Sequence, residues 1–384
     1  MTNETIKGFQ DFVGEEAFKR EKVKEILIKN FKIYGFEPVE TPIIESEEFV
    51  KGNNNNDEVI SDIFKLQDKG KRELALRYEF TFQLKRIANN KKLPYKRYQI
   101  GEVFRDEPTS SNRFRQFTQC DADIVGSTIK SEAELLSLIS KILTELNIKA
   151  TININNRKLL NEILEKEKIS NKEQVIKEID KLDKLSEAEV KSNLKKYKAE
   201  KLILILKKPE SYFKKYKAYE EIQELKKDCK LFGVNINFQP NLARGLSYYN
   251  GSIFEIKSTE FKETICAGGS YLVNNVQSTG FSFGLERLSQ LAKIKTENKN
   301  VLIISIGQDE KSITLVEELR KNNIPCSIMY GKPSKALEYA NSYSIAYVIF
   351  VGEEEAKAKK FKLRNMKSGK EEMLKKEEII KKII

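Results

Sequence analysis

The 384-residue sequence predicts an α+β fold with a helical insertion and a separate C-terminal α/β unit. Three observations carry that expectation. Residues 98–126, 232–256 and 266–284 read as apolar strands broken by turns. Residues 157–231 are lysine-rich, helical in period and nearly free of glycine. Residues 300–384 alternate strand and helix text, the pattern of a small mixed α/β domain.

Composition narrows the function classes. A third of the residues are charged, and no run approaches the roughly 18 apolar residues of a membrane span. MTNETIKGFQDF has no apolar core like a signal peptide, so a cytoplasmic, non-membrane protein is expected. Cys120, Cys229, Cys266 and Cys326 form no CxxC pair, which argues against a disulfide framework or a zinc site, and no metal-ligating set is expected. There is no histidine, so no protein imidazole can act as base, nucleophile or ligand. The formal charge of +12 suits a polyanionic partner, or reflects biased base composition. Its distribution says more: ten lysines stand between Lys191 and Lys217 against Glu200 and Glu210. These lysines either grip phosphates or form solvated helix faces.

In chain order, residues 15–33 read as a helix and 34–46 as a turn and a strand containing Pro42, which suits an edge or interface. Residues 51–60, KGNNNNDEVI, read as a flexible loop. A hairpin and a helix follow over 63–88. Within LALRYEFT, period two puts Arg77, Glu79 and Thr81 on one face, either a binding face or simply a wet one. Residues 98–126 form a hairpin with a long loop from Pro108 through Thr109, Ser110, Ser111 and Asn112. Arg105, Arg113 and Arg115 flank that loop, and Glu107, Gln119, Asp121 and Asp123 share the ribbon. Guanidiniums suit planar phosphate or carboxylate groups, so the ribbon is a ligand site or an edge hairpin with solvated charges.

A helix over 130–148 and the strand ATININ precede the helical stretch. In LARGLSYYNG, Gly245 allows close backbone approach beside Arg244, and Tyr248 and Tyr249 point to opposite faces if extended. Gly268-Gly269 also suits close approach, and Gly284 marks a strand-to-helix passage with Glu286 and Arg287 in the first helical turns. After a linker at 292–300 come strand, helix, strand, helix, strand, strand, without a glycine-rich phosphate fingerprint.

FRDE followed by RFRQFTQCDADIVG resembles motif 2 of the class II aminoacyl-tRNA synthetases, and most of all the histidyl-tRNA synthetase family. RGLSYYNGSIFE resembles that family's own signature, GFSFGLERL resembles motif 3, and the segment around Pro42 resembles motif 1. The motif text is like that of archaeal and eukaryotic members. The resemblance implies an antiparallel catalytic sheet flanked by helices in two parts, 1–156 and 232–296, a helical insertion at 157–231, and an anticodon-binding domain at 300–384. It also implies a homodimer with its interface near Pro42. The family pattern departs at Ser247, where Asp is common, and at Ser270 in GGSYLV, which reads as a shortened loop on the side of the site.

By the same resemblance, L-histidine, ATP with Mg²⁺, and the histidine-specific tRNA are the ligands. Arg105 and Arg244 flank the reacting carboxylate and α-phosphate. Glu79 and Thr81 hold the substrate ammonium, with Phe80 beside them. Gln119 and Asp123 pair with the imidazole, and Tyr248 and Tyr249 close over it. Glu107, Arg113 and Arg287 bind ATP, and Arg115 serves ATP or the tRNA end. The rival reading is a non-catalytic, histidine-sensing regulatory subunit of ATP phosphoribosyltransferase. That subunit lacks the C-terminal domain, whereas 300–384 are present here. A histidine-free synthetase can be translated when charged histidyl-tRNA is scarce; codon drift in a lysine-rich genome is the alternative.

Overall fold

The computed structural model describes residues 3–51, 61–110, 113–244, 248–261, 263–295 and 300–383. The loop expected over 51–60 (apart from Lys51), Ser111, Asn112, Gly245, Ser247 and linker residues 296–299 lie outside them. Contacts divide the chain into residues 1–294 and 295–384.

Helix α1 (Gly14–Ile33) buries Arg20, Val23, Leu27, Asn30 and Phe31, the three-and-four spacing of one face. The expected strand over 34–46 breaks into β1 (Glu37–Pro38) and β2 (Ile44–Ser46), which join different sheets, and Pro42 falls between them. Proline donates no hydrogen bond, so it interrupts a ladder and is tolerated in the crossover. Helix α2 (Glu47–Lys51) follows, and the hairpin of β3 (Lys65–Gln67) and β4 (Glu73–Leu76) completes a three-stranded sheet with β2. Strand β4 stops at Leu76, and α3 (Thr81–Ile87) begins five residues later.

Strands β5 (Tyr95–Phe104) and β6 (Gln116–Val125) form the antiparallel ribbon. Helix α4 (Ile129–Glu145) starts at a Thr128–Ser131 capping box, and β7 (Ala150–Asn156) follows. The lysine-rich stretch is helical throughout: α5 (Arg157–Lys166), α6 (Lys172–Asp180), α7 (Glu187–Lys195), α8 (Leu202–Leu206), α9 (Glu210–Phe213) and α10 (Tyr219–Leu231). It has no core of its own. Val175, Ile179, Val190, Leu194 and Phe213 join the apolar cluster that holds Ile154, Phe238 and Phe254 of the sheet.

Strands β8 (Asn237–Phe238), β9 (Tyr249–Ser258), β10 (Thr264–Val273) and β11 (Val276–Gly284) finish an eight-stranded sheet of order β1-β5-β6-β11-β10-β9-β7-β8. It is antiparallel except for the two edge pairs. Asn274 and Asn275, at φ +49° and +63°, make the two-residue hairpin turn that such dihedrals favour. Asn274 donates to Lys85 O at 2.7 Å, which puts the shortened connection against α3 and not beside the site described below. Helix α11 (Leu285–Leu291) follows directly from β11.

The C-terminal unit contains β12 (Val301–Ser305), α12 (Asp309–Lys321), β13 (Cys326–Tyr330), α13 (Pro333–Ser342), β14 (Tyr347–Val351), α14 (Glu353–Ala358), β15 (Phe361–Asn365), β16 (Glu371–Leu374) and α15 (Lys376–Ile383). Its sheet order is β13-β12-β14-β15-β16, parallel at β12 and antiparallel beyond β14. Every residue of β12 is buried, because Val301 and Ile303 pack on α12 and α15 while Leu302 and Ile304 pack on α13. The short α14, β16 and α15 were not foreseen.

Candidate active site

The floor of the site is set by strand register. Arg97 of β5 lies opposite Asp123 of β6, and Asp123 lies opposite Gly280 of β11. Gln119, Asp121 and Asp123 alternate along β6 and therefore share a face. Only glycine fits at 280, since a Cβ there would stand 1.9 Å from Asp123 Oδ1. A Cβ at Gly268 would meet Gly280 O at 2.1 Å, so this glycine also lets two strands approach. Over this floor opens a cavity of about 850 Å³.

One part of the cavity gathers carboxyls and tyrosines. Arg97, 1% exposed, pairs with Asp123 Oδ2 at 2.8 Å, and Tyr271 donates its hydroxyl proton to Asp123 Oδ1. Burial raises the carboxyls of Asp121 and Asp123, with Arg97 pulling both back down. Burial also pushes Glu79 up to about 7, opposed chiefly by Arg105. The Tyr248 and Tyr249 rings lie 4.7 Å apart, and Tyr248 meets Tyr271 edge-on at 5.6 Å. Gln119 donates to Ser282 Oγ at 2.9 Å, which leaves its amide oxygen buried without a partner among the described residues.

The other part is cationic. The Arg105 guanidinium lies over the Tyr78 ring at 4.2 Å and near Phe117 at 5.0 Å, stacking that fixes its plane. Arg113 pairs with Glu107, whose carboxylate also accepts from Tyr78 OH at 3.4 Å. Arg287 donates to Thr264 O at 2.8 Å. Burial lowers its pKa, as do the neighbouring cations Arg113 and Arg105. Arg244 pairs with the buried Glu255 at 2.5 Å. A cluster of guanidiniums this close favours a polyanion, while the buried carboxyls suit a cation or a hydrogen-bond donor.

Of the residues singled out in the sequence, Glu79, Thr81, Arg105, Glu107, Arg113, Gln119, Asp123, Arg244, Tyr248, Tyr249 and Arg287 all line this cavity. Phe80 and Arg115 are not in its lining. Phe80 is fully buried, with the Arg77 guanidinium 4.9 Å over its ring, because the chain is already turning into α3. Arg115 spends its guanidinium on the loop itself, pairing with Asp106 at 3.2 Å and donating to Glu107 O. The shared face of Arg77, Glu79 and Thr81 is also corrected. The strand ends before Arg77, which turns away to donate to Glu102 O at 2.6 Å and Thr41 O at 2.8 Å. Tyr248 and Tyr249 pack together on the cavity and do not take opposite faces, because Tyr248 precedes the first residue of β9.

Sequence reasoning gave no role to Arg97, named Asp121 only as one of the ribbon's carboxylates, and did not place the inserted helices here. Asp180, Lys181, Asp183 and Lys184 line the same cavity. Arg97 sits in the strand text YKRYQIG, and the only available signal was that a charge in a buried strand demands a partner across the ladder.

A family profile described as histidyl-tRNA synthetase matches residues 8–288, and one described as anticodon binding domain matches 300–384. Histidine--tRNA ligase 1 of Bacillus cereus is 34% identical, over 97% of this chain and 97% of its own length. The histidine--tRNA ligase of Clostridium tetani is 32% identical, over 98% and 97%. The crystal structure of histidyl-tRNA synthetase from Nostoc sp. PCC 7120 superposes with a TM-score of 0.86 at 26% identity, covering 100% of this chain and 99% of that one. A Bacillus halodurans structure described as an ATP phosphoribosyltransferase regulatory subunit/histidyl-tRNA synthetase has a TM-score of 0.76 at 18% identity, over 91% of this chain and 98% of that one, and shares the fold. The large antiparallel sheet flanked by helices, with a C-terminal anticodon-binding domain, is the architecture of a class II aminoacyl-tRNA synthetase. Within that class, the chain belongs to the histidyl-tRNA synthetase family.

Proposed function

We propose that the chain is a histidine–tRNA ligase, which activates L-histidine with ATP and transfers the histidyl group to the 3′ end of its tRNA. The observation that carries this is one cavity holding buried carboxyls and tyrosines beside a cluster of arginines, in a chain aligned over 97% of its length with histidine–tRNA ligases.

Activation joins the substrate carboxylate to the α-phosphate and expels pyrophosphate, so the protein's task is to position two anions and stabilise the charge between them. Arg105 acts electrostatically on both parts of the cavity, lowering Glu79 and Arg287 alike, which suits a residue bridging carboxylate and α-phosphate. Arg244 faces the same space, with its Nε buried and without a hydrogen-bond partner among the described residues. Arg113 and Arg287 take the distal phosphates.

Glu79, when ionised, and the Thr81 hydroxyl receive the ammonium. Asp123, fixed by Arg97 and Tyr271, and Gln119, with its unpartnered amide oxygen, pair with the imidazole. Tyr248 and Tyr249 exclude water from it. A buried polar pocket of this kind rejects analogues that leave its groups unpaired by roughly 10⁴.

Mg²⁺ keeps most of its ligands from phosphate and water and needs one or two carboxylates. Glu107 and Glu263, beside Arg113 and Arg287 in the lining, fit that need. There the ion would neutralise phosphate charge.

Residues 300–384 bind the anticodon region of the tRNA. Homodimerisation through the Pro42 segment is supported by exposed Ile43 (44%) and Ile44 (49%) beside it. The archaeal and eukaryotic likeness rests on the motif residues alone, and the relatives named above are bacterial. A cytoplasmic location goes with this activity; no helix among the described residues is long and apolar enough to cross a membrane. The test is exchange of labelled pyrophosphate into ATP with each of the twenty amino acids. Exchange with histidine alone is expected. Histidine binding without exchange would favour the regulatory reading, and exchange with another amino acid would refute the pocket assignment.

A further inference from the structure

Arg244 stands at the end of a chain of alternating charges that starts on the inserted helices. Its Nη1 donates to Glu255 Oε1 at 2.5 Å. Glu255 is 3% exposed, and its other oxygen lies 3.4 Å from Lys257 Nζ. Lys257 in turn donates to Asp183 Oδ2 at 2.7 Å. Asp183 closes the 3₁₀ turn Lys181–Asp183 that follows α6. Glu255 and Lys257 are two apart on β9 and share a face, so the insert reaches the arginine through one strand.

Two further contacts bear on the same residue. Arg157, the first residue of α5, donates to Arg244 O at 3.2 Å. Asp180, the last residue of α6, is close enough for Arg244 to pull down a carboxyl that burial raises.

The outer pair is of a kind that contributes little to stability: Lys257 and Asp183 side chains are 24% and 45% exposed. Its consequence is geometric. With Lys257 held by Asp183, Glu255 keeps two cations in fixed places around one buried carboxylate, and the direction of Arg244 is fixed with them.

We propose that Asp183 and Lys257 are positioning residues for Arg244, so that docking of the inserted helices is read directly by the arginine of the activation step. This rests on the role given to Arg244 above. A displacement of the insert would release Lys257, let Glu255 shift toward Arg244 alone, and move the guanidinium off the reacting phosphate.

The test is kinetic and thermal, on the full-length protein. Asp183→Asn is expected to lower kcat of histidine-dependent pyrophosphate exchange about 3- to 10-fold, with KM for histidine within about twofold. Asp183→Glu keeps the charge and should recover most of the rate. Lys257→Met should lose more, about 10- to 50-fold, and adding Asp183→Asn to it should cost nothing further. An Asp183→Asn kcat equal to the wild type's, or a double variant slowed by the product of the two single losses, overturns the proposal.

The same cycle in thermal unfolding separates this inference from the function it rests on. Asp183→Asn should lower Tm only slightly, by about 1 °C, in the wild-type background and not at all in the Lys257→Met background, a small coupling as befits a partly exposed pair. Wild-type protein without histidine-dependent exchange refutes the ligase reading, and the thermal cycle then still decides the chain: additive shifts overturn it.

Discussion

Where the C-terminal sheet buries Val301, Leu302, Ile303 and Ile304 along a single strand, the larger sheet buries Arg97, Gln119, Asp121 and Asp123 along two. Both sets are nearly inaccessible, yet their burial has opposite consequences. Each apolar side chain of β12 gains roughly 1.5–3 kcal/mol from leaving water. The charges of β5 and β6 lose hydration that only good pairing restores, and breaking one such pair strands the other. The contrast teaches where selection for a ligand has acted against stability. A strand that only holds a domain together is filled with Val, Leu and Ile, and one that must grip a polar ligand keeps its unmatched donors and acceptors.

Substitutions in the two sheets should act differently, and the largest effect is expected at the cavity. Arg105→Ala should slow histidine-dependent exchange by about 10³-fold, in the manner of losing a preorganised charge, while leaving thermal stability nearly unchanged. A loss confined to KM would remove Arg105 from the activation step. Asp123→Asn should destabilise the N-terminal unit by about 3–4 kcal/mol in denaturant unfolding, because Arg97 loses its 2.8 Å counter-charge. If it proved neutral, the pair would not be the constraint described here.

Leu302→Ala in the other sheet should cost about 3 kcal/mol of C-terminal stability through the lost packing. Exchange should stay within about twofold of wild type, since activation uses residues of the other unit. Failure of exchange in step with that unfolding would contradict the separation of the two regions.

The smallest effect is a pH slope. Glu79 holds its proton up to about 7 in the folded protein, against an ordinary 4.5. The folded state therefore binds more proton between those values. Its contribution to stability is full below about 4.5 and is lost as pH rises through about 7. The Tm of wild type relative to Glu79→Gln should fall across that window, and histidine affinity should weaken below about pH 7 as the carboxylate is neutralised. A constant Tm difference from pH 4 to 8 would mean that Glu79 titrates in the folded protein as it does in the unfolded chain.

The elements legible in the sequence are those whose residues announce them locally. The 3.6-period text of α1 and α4, the long ribbon of β5 and β6, and the alternating C-terminal units were legible because side-chain period and backbone geometry are the same fact seen twice. Of the thirteen residues named through motif text, eleven line the cavity. Phe80 and Arg115 lie outside that lining for a local reason: a helix start turned one ring inward, and the Glu107 carbonyl and Asp106 claimed the other's guanidinium. The tertiary structure alone decided which distant residues meet. Arg97 finds Asp123 only through strand register, Gly280 makes room only because a carboxylate lies opposite, and Asp183 reaches Arg244 only through β9. Such contacts join residues from 26 positions apart, for Arg97 and Asp123, to 157 apart, for Asp123 and Gly280, and no local preference encodes a pairing that exists only once the whole sheet has closed.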